Sequence, residues 1–317
     1  MATPRFSVLV AVYNAGVFVE QTVRSVLAQT CGDLELILID DGSTDGCLGF
    51  LAGATDSRIQ VLRQANQGAP AAINTGLHAA VGEWVALLDH DDLWLPGKLE
   101  AHRQCVETHP ETDLTFNWSR SIDENGNDLH LNSRPWRGTI SFAELLDDFV
   151  IGNTSAIVMR RSAIERAGIM NVALPRVYDF DACLRVAALR AGNCRSVPEY
   201  LTCYRRHAGQ MSCDWRTLQG EWEHLLRLVP SYAPCPVERR LGLADSNMRR
   251  YFAWIACQAG DGPSALRLAL SAFRRAPRRA PFDLRNWLML AACCGRCALP
   301  DAIYRSTLEA GKRVFGR

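Results

Sequence analysis

Between residues 6 and 95, short apolar runs alternate with longer stretches patterned as helices. "FSVLVAVYN" (6–14) is a continuous Val-rich run of the kind buried on both faces of a sheet. Residues 17–30 set Val19, Val23, Val26 and Leu27 on one helical face and end before Cys31-Gly32. "LELILID" (34–40), "RIQVLR" (58–63) and "GEWVALLD" (82–89) read as further strands, with helical stretches around 44–53 and 69–81 between them. Strand and helix alternating in units of about 30 residues demand right-handed crossovers, so an α/β fold with a mostly parallel central sheet flanked by helices is expected.

In such sheets ligands sit beyond the C-terminal ends of the strands. Tyr13-Asn14, Asp40-Asp41 and Asp89-His90-Asp91-Asp92 all fall at those ends. Three carboxylates crowded against a buried strand repel one another unless solvent or a cation neutralises them. They therefore sit on a solvated rim or hold a metal ion.

After residue 96 the pattern mixes. Pro96 opens a helix, "DLTFNWSRSID" (113–123) reads as a strand, and "ENGNDL" (124–129) carries an Asn-Gly hairpin signal. "TSAIVMRR" (154–161) is a short strand, residues 179–191 an amphipathic helix with Leu184, Ala187, Ala188 and Ala191 inward, and "YLTCYRRH" (200–207) returns the chain. From about 215 only helices are expected, with 260–277 and 282–295 as a helical hairpin; a single such unit argues against a repeat array.

These blocks resemble the inverting family 2 glycosyltransferases with the GT-A fold, of bacterial surface-polysaccharide type. "FSVLVAVYNAGVFVEQTVRSVLAQT", "LELILIDDGSTDG" and "NQGAPAAINTGLHAAVGEWVALLDHDDLWLPGKLE" carry the likeness, which runs from residue 6 to about 213. It implies a glycosyltransferase domain over 1–213, with a nucleotide-sugar half at about 1–100 and an acceptor half at about 101–213. Residues 214–317 then form a helical C-terminal region. The implied reaction moves a sugar from a nucleotide-diphosphate donor, UDP favoured over dTDP or GDP, to a hydroxyl of a glycan or lipid-linked acceptor.

The chemistry explains the composition of each block. A departing diphosphate is stabilised by a divalent cation, and Mg²⁺ or Mn²⁺ takes oxygen ligands and needs only one or two protein carboxylates when phosphates supply the rest. Asp89-His90-Asp91 occupies the family's Asp-x-Asp position, so the resemblance makes Asp91 a metal ligand and places Asp89 or His90 near the ribose. Asp92 also has a plain reading as a helix N-cap. Asp41 is the expected partner of the base or ribose, Tyr13 can stack on the base, and Ala11 lies beside them; Gly42-Ser43 reads as a turn.

"VYDFDACLRVA" (177–187) resembles the Glu-Asp segment that supplies the general base. Asp179 aligns with that base, although Tyr178 stands where Glu is usual; Asp181 is the competitor, and a helix cap is the structural alternative. In "YRRHAGQMS" (204–212), His207 can complete the metal shell, and Arg205 or Arg206 can pair with phosphate, Arg206 alternatively within a lid.

Other classes fit less well. The glycine-rich loop and Lys of a nucleotidyltransferase are missing after the first strand, as are the membrane spans and Gln-x-x-Arg-Trp stretch of a processive synthase. A non-catalytic nucleotide-sugar-binding protein of the same fold remains the alternative, and no groove-reading motif suggests nucleic acid. The N-terminus does not read as a signal peptide and no run reaches the ~18–20 apolar residues of a membrane span, so a cytoplasmic protein with twelve free thiols is expected. "CCGRC" (293–297) lacks a second ligand pair at zinc spacing. Residues 261–317 hold eleven Lys/Arg against four Asp/Glu, a net of +7 that leaves −6 for 1–260. With Trp287, Leu288 and Leu290 beside Arg274, Arg275, Arg278, Arg279 and Arg285, this segment reads either as a helix lying on an anionic membrane surface or as a cap with a solvated basic face.

Overall fold

The apolar N-terminal runs become the inner strands of one sheet. In the computed structural model, which describes residues 4–207 and 209–298, the first elements are β1 (Phe6–Val12), α1 (Phe18–Leu27), β2 (Leu34–Asp40), β3 (Ile59–Arg63), α2 (Ala69–Ala79) and β4 (Trp84–Leu87). β1 runs parallel to both β2 and β4, and β2 parallel to β3. Parallel strands need both faces covered. Phe6, Val8, Val10 and Val12 pack with Val19, Val23 and Val26 of α1. Gly76 of α2 comes so close to the opposite face that a Cβ would stand 2.8 Å from Ile39 Cδ1 and 3.2 Å from Leu9 Cδ2.

The helix expected around 44–53 does not form; the segment makes one 3₁₀ turn, Gly49–Leu51. Gly46 and Gly53 take φ of 70° and 83°, conformations that end helices. Asp45 meanwhile accepts from the Gly16 and Cys47 N–H groups at 2.9 and 3.1 Å, bonds of a turn rather than a helix.

Beyond β4 follow β5 (Leu93–Trp94), α3 (Lys98–Thr108), β6 (Leu114–Ile122), β7 (Asp128–Asn132), α4 (Phe142–Asp147), β8 (Ile157–Arg160), α5 (Arg161–Ala167), α6 (Tyr178–Leu189) and β9 (Cys194–Arg205). Strand order is β3-β2-β1-β4-β8-β6-β9-β5, with β7 on β6. β8 is antiparallel to β4 and β6, and β9 is parallel to β6. The Asn-Gly signal closes the β6–β7 hairpin, where Asp123 accepts from Asn125 and Asn127 N–H. The β6–β9 register slips after Val197, where Pro198 has no N–H to give the ladder. α6 departs from its expected amphipathic pattern. Leu184 and Ala187 are buried, but Ala191 lies beyond the helix end and is exposed, and Tyr178–Leu184 is buried on every side.

The chain divides into two compact units, Met1–Phe142 with Phe149–His207, and Ala143–Asp148 with Ala208–Arg317. The second is built from α7 (Trp215–Leu228), α8 (Glu238–Gln258), α9 (Gly262–Arg275) and α10 (Leu284–Ala298). Asp214 and Asp261 cap α7 and α9 through the N–H groups of Thr217 and Ser264. Trp222, Leu225, Phe252 and Ala256 fill the interior, and Gly242 lets α8 meet the Arg275 carbonyl, 2.6 Å from where a Cβ would stand. All twelve cysteines are free, with the Cys257 and Cys293 sulfurs 3.5 Å apart. Among the described residues no helix is long and apolar enough to cross a membrane. Residues 299–317 of the basic tail lie outside the described residues.

Candidate active site

The end of β1 joins two polar clusters. The Val12 carbonyl accepts from Asp41 N–H at 2.8 Å, and the Ala11 carbonyl accepts from His90 Nδ1 at 3.2 Å. Tyr13, next in sequence, is 48% exposed. Asn14 takes a left-handed φ of 46°, tolerable for Asn because its side chain bonds locally. Its Oδ1 accepts from Thr44 N–H at 2.8 Å and its N–H reaches Ser43 Oγ at 3.1 Å, so the loops after β1 and β2 are clipped together.

Asp40 closes the turn by accepting from Ser43 N–H at 2.8 Å. Asp41 is buried and receives three donors: Gln64 Nε2 at 2.8 Å, Gln67 N–H at 2.9 Å and Gly68 N–H at 2.8 Å. An ionised carboxylate has about four acceptor positions. Asp41 therefore anchors the loop entering α2 and keeps capacity for about one further donor.

The acidic block separates its members by environment. Asp92, fully buried, accepts from Ser155 Oγ at 2.6 Å and Arg205 N–H at 2.8 Å, and it caps no helix. Burial, then the charges of Asp91 and Asp89, push its carboxyl well up. Asp89 is pushed up in the same way, by burial first and then by Asp91 and Asp179, which sets it electrostatically between those two acids. Asp91 differs. Burial raises it, but the hydrogen bond from His207 and the nearby imidazoles outweigh burial and hold it below the ordinary carboxylate value. His207 Nε2 stands 2.8 Å from Asp91 Oδ2, and that bond raises the imidazole.

Asp179, in the first turn of α6, is 8% exposed. Its oxygens accept from Thr154 Oγ1 at 3.1 Å and Phe180 N–H at 2.8 Å. Burial outweighs both bonds and lifts its carboxyl to about 6, in the range a general base needs near neutrality. Asp181 sits in a different environment. It is 1% exposed and pairs at 2.8 Å with Arg185, whose guanidinium also donates to the carbonyls of Ala167, Gly168 and Ile169. Tyr178 is buried beside Asp89 and Asp179, and burial followed by those charges raises its phenol.

Several of these supports were not legible in the motifs. Arg205 is wholly buried: Nε donates to the Asp91 carbonyl at 2.7 Å, one Nη to Glu124 O at 2.8 Å and the other to Gln21 Oε1 at 2.9 Å. Arg205 thus holds the acidic block in place instead of meeting phosphate. Arg206 stacks 4.9 Å over Tyr204. Lys98, written like a surface residue, is fully buried over the Trp94 ring, and its Nζ donates to Ser155 O at 3.0 Å and to Asn117 Oδ1.

Among the described residues no three acidic, histidine or cysteine side chains converge as a ready-made cation cage. Asp91 and His207 offer one oxygen and one nitrogen. Such a pair would suit Mn²⁺ or Mg²⁺, the imidazole better suited to Mn²⁺.

The chain is similar to known proteins in sequence and in fold. An uncharacterised glycosyltransferase of Nostoc sp. is 31% identical over 230 residues, covering 69% of this chain and 70% of its own. The Escherichia coli UDP-Glc:alpha-D-GlcNAc-diphosphoundecaprenol beta-1,3-glucosyltransferase WfaP is 29% identical over 212 residues, covering 66% of this chain and 80% of its own. A Rickettsia conorii glycosyltransferase matches over only 31% of its own length. In structure, S. aureus TarS 1–349 in complex with UDP-GlcNAc aligns over 98% of this chain and 92% of its own, with TM-score 0.66 and 15% identity. The Pyrobaculum calidifontis mannosyltransferase PcManGT in complex with GDP-Man and Mn²⁺ aligns over 100% and 89%, with TM-score 0.62 and 17% identity. The fold is thus GT-A, with helices following it. The sequence model of glycosyl transferase family 2 matches residues 7–167, and with the Nostoc relative it places this chain in that family.

Proposed function

We propose that this glycosyltransferase transfers a sugar with inversion from a nucleotide-diphosphate donor, a UDP-sugar in the first instance, to a hydroxyl of a glycan or lipid-linked acceptor. The observation that carries the proposal is Asp179, a buried carboxylate lifted to about 6 beside the acidic rim. Tyr13 stacks on the base, while Ala11, Asp41, Asp89 and His90 line the nucleoside side, and Arg206 meets the diphosphate. Asp91 and His207 would hold Mn²⁺ or Mg²⁺, which when bound neutralises charge on the diphosphate. The acceptor oxygen attacks the anomeric carbon from the side opposite the nucleotide. Its bond to that carbon forms as the bond from carbon to diphosphate oxygen breaks, the electron pair leaves on the diphosphate, and Asp179 takes the hydroxyl proton. The lipid-linked acceptor that WfaP is named for supports a similar acceptor class here.

The test is a panel of UDP-, dTDP- and GDP-sugars with Mn²⁺, read as transfer or slow donor hydrolysis. Turnover lost in Asp179→Asn with UDP binding kept supports the reading. Turnover kept in that variant removes Asp179 as base, and donor binding without any turnover makes the protein a nucleotide-sugar-binding module.

We extend the proposal to a peripheral contact between residues 261–317 and an anionic membrane on the cytoplasmic side. Phe282 is 88% exposed and Leu284 69%, with Trp287 and Leu288 half exposed and Arg274, Arg275, Arg278, Arg279 and Arg285 exposed in the same segment. Exposed apolar and aromatic side chains alternating along the chain with arginines suit a lipid headgroup boundary. Salt-sensitive sedimentation with phosphatidylglycerol vesicles is expected, and indifference to lipid charge removes this part.

A further inference from the structure

One turn reaches both halves of the proposed chemistry. Residues Thr154–Ala156 form a 3₁₀ turn leading into β8, and all three are buried. Its backbone is fixed by the Ser155 carbonyl, which accepts from Trp94 Nε1 at 2.9 Å, Lys98 Nζ at 3.0 Å and Thr202 Oγ1 at 3.3 Å. These donors come from β5, α3 and β9, so the turn is pinned from three elements.

The two neighbouring hydroxyls differ in their main partners, with the Thr154 hydroxyl also within hydrogen-bonding range of Asp89 and the Tyr178 phenol. Ser155 Oγ accepts from Asp89 N–H at 3.0 Å and donates to Asp92 Oδ2 at 2.6 Å, which ties it to the acidic block. Thr154 Oγ1 donates to Asp179 Oδ2 at 3.1 Å, while Asp179 Oδ1 is taken by Phe180 N–H at 2.8 Å. With a donor on each oxygen, the carboxylate cannot rotate freely about its Cβ–Cγ bond, yet each oxygen keeps a lone pair for an incoming proton.

We propose that Thr154 is a positioning residue for the transfer step, its hydroxyl setting the Asp179 carboxylate on a turn that Ser155 locks to the donor-binding acids. A base must sit within hydrogen-bond reach of the proton it takes, and a displacement of about 1 Å costs on the order of 10²-fold in rate. A methyl in place of the hydroxyl leaves the turn packed and frees one carboxylate oxygen. Ser155 has the complementary assignment, because its bonds go to the acids and not to the base. The inference rests on Asp179 being the base.

The experiment compares Thr154→Val, Thr154→Ser, Ser155→Ala and Asp179→Asn in the full chain, with kcat and donor KM measured in Mn²⁺ and UDP affinity by calorimetry. Thr154→Val should lower kcat at least tenfold, with donor KM and UDP affinity within twofold of the parent, and Thr154→Ser should restore most of the rate. Ser155→Ala should instead weaken UDP and raise donor KM. A Thr154→Val enzyme with parental kcat, or one changed only in donor KM, overturns the assignment while leaving Asp179 as base if Asp179→Asn is inactive. Turnover in Asp179→Asn overturns both. If Thr154→Val does not fold, Thr154→Ser and Thr154→Ala carry the test, with serine expected near parental kcat and alanine low; equal rates in the two overturn it.

Discussion

Asp179→Asn isolates the cost of keeping a buried carboxylate ready to ionise. In the folded protein this carboxyl titrates at about 6, against 3.8 for an unburied one. Below about pH 4 both folded and unfolded chains carry the proton and the group has no effect on stability. Between pH 4 and 6 the folded chain keeps a proton that the unfolded chain has released, so stability falls as pH rises; above pH 6 the whole cost is present. Two pKa units at about 1.4 kcal/mol each make that cost about 3 kcal/mol. Asparagine has the same shape, its Oδ1 accepts from Phe180 N–H while its Nδ2 donates to Thr154 Oγ1, and it never ionises. The variant should therefore melt about 5 °C above the parent at pH 8 and close to it at pH 4, taking roughly 2 °C per kcal/mol for a chain of this size. The ionised Asp179 also raises Asp89, so its removal acts in the same direction. Scanning calorimetry of both proteins at pH 4, 6 and 8 reads the difference. A gap of the same size at all three pH values, or a variant less stable at pH 8 than the parent, refutes the burial argument.

Other consequences follow from the same site. The kcat/KM of the parent should rise with pH to a plateau with its midpoint near pH 6, because the base must be deprotonated; a profile flat from pH 5 to 8 contradicts Asp179. Asp41→Ala leaves three N–H donors of the loop entering α2 without their acceptor, so urea unfolding should report a loss of about 2–4 kcal/mol together with weaker UDP binding. Removing divalent cations with EDTA should stop turnover and added Mn²⁺ restore it, with His207→Ala needing more Mn²⁺ for half-maximal rate; unchanged turnover in EDTA removes the role given to Asp91 and His207.

What could be read from the residues was local. Apolar runs mark β1, β2 and β4, the Asn-Gly pair marks the β6–β7 hairpin, and the acids at the strand ends mark the rim. Residues 44–53 misled because their apolar spacing hid glycines in left-handed conformations. What stayed hidden depends on partners far along the chain. Arg205 reaches back to Asp91 and Gln21, and Lys98 lies under Ser155 and Thr202. In sequence Arg205 reads as a phosphate partner, and nothing in the spacing marks Lys98 as buried. The Asp181–Arg185 pair, four residues apart on one helix, lay within reach of the sequence, whereas the burial of Asp179 against Thr154, 25 residues away, did not.

The stereochemistry of transfer tests the central claim most directly. A single displacement assisted by one base converts an α-linked nucleotide sugar into a β-linked product. Proton NMR of the first product formed from an α-linked UDP-sugar reads the anomeric coupling before any further reaction. A β-anomer is predicted, and an α-anomer contradicts the account.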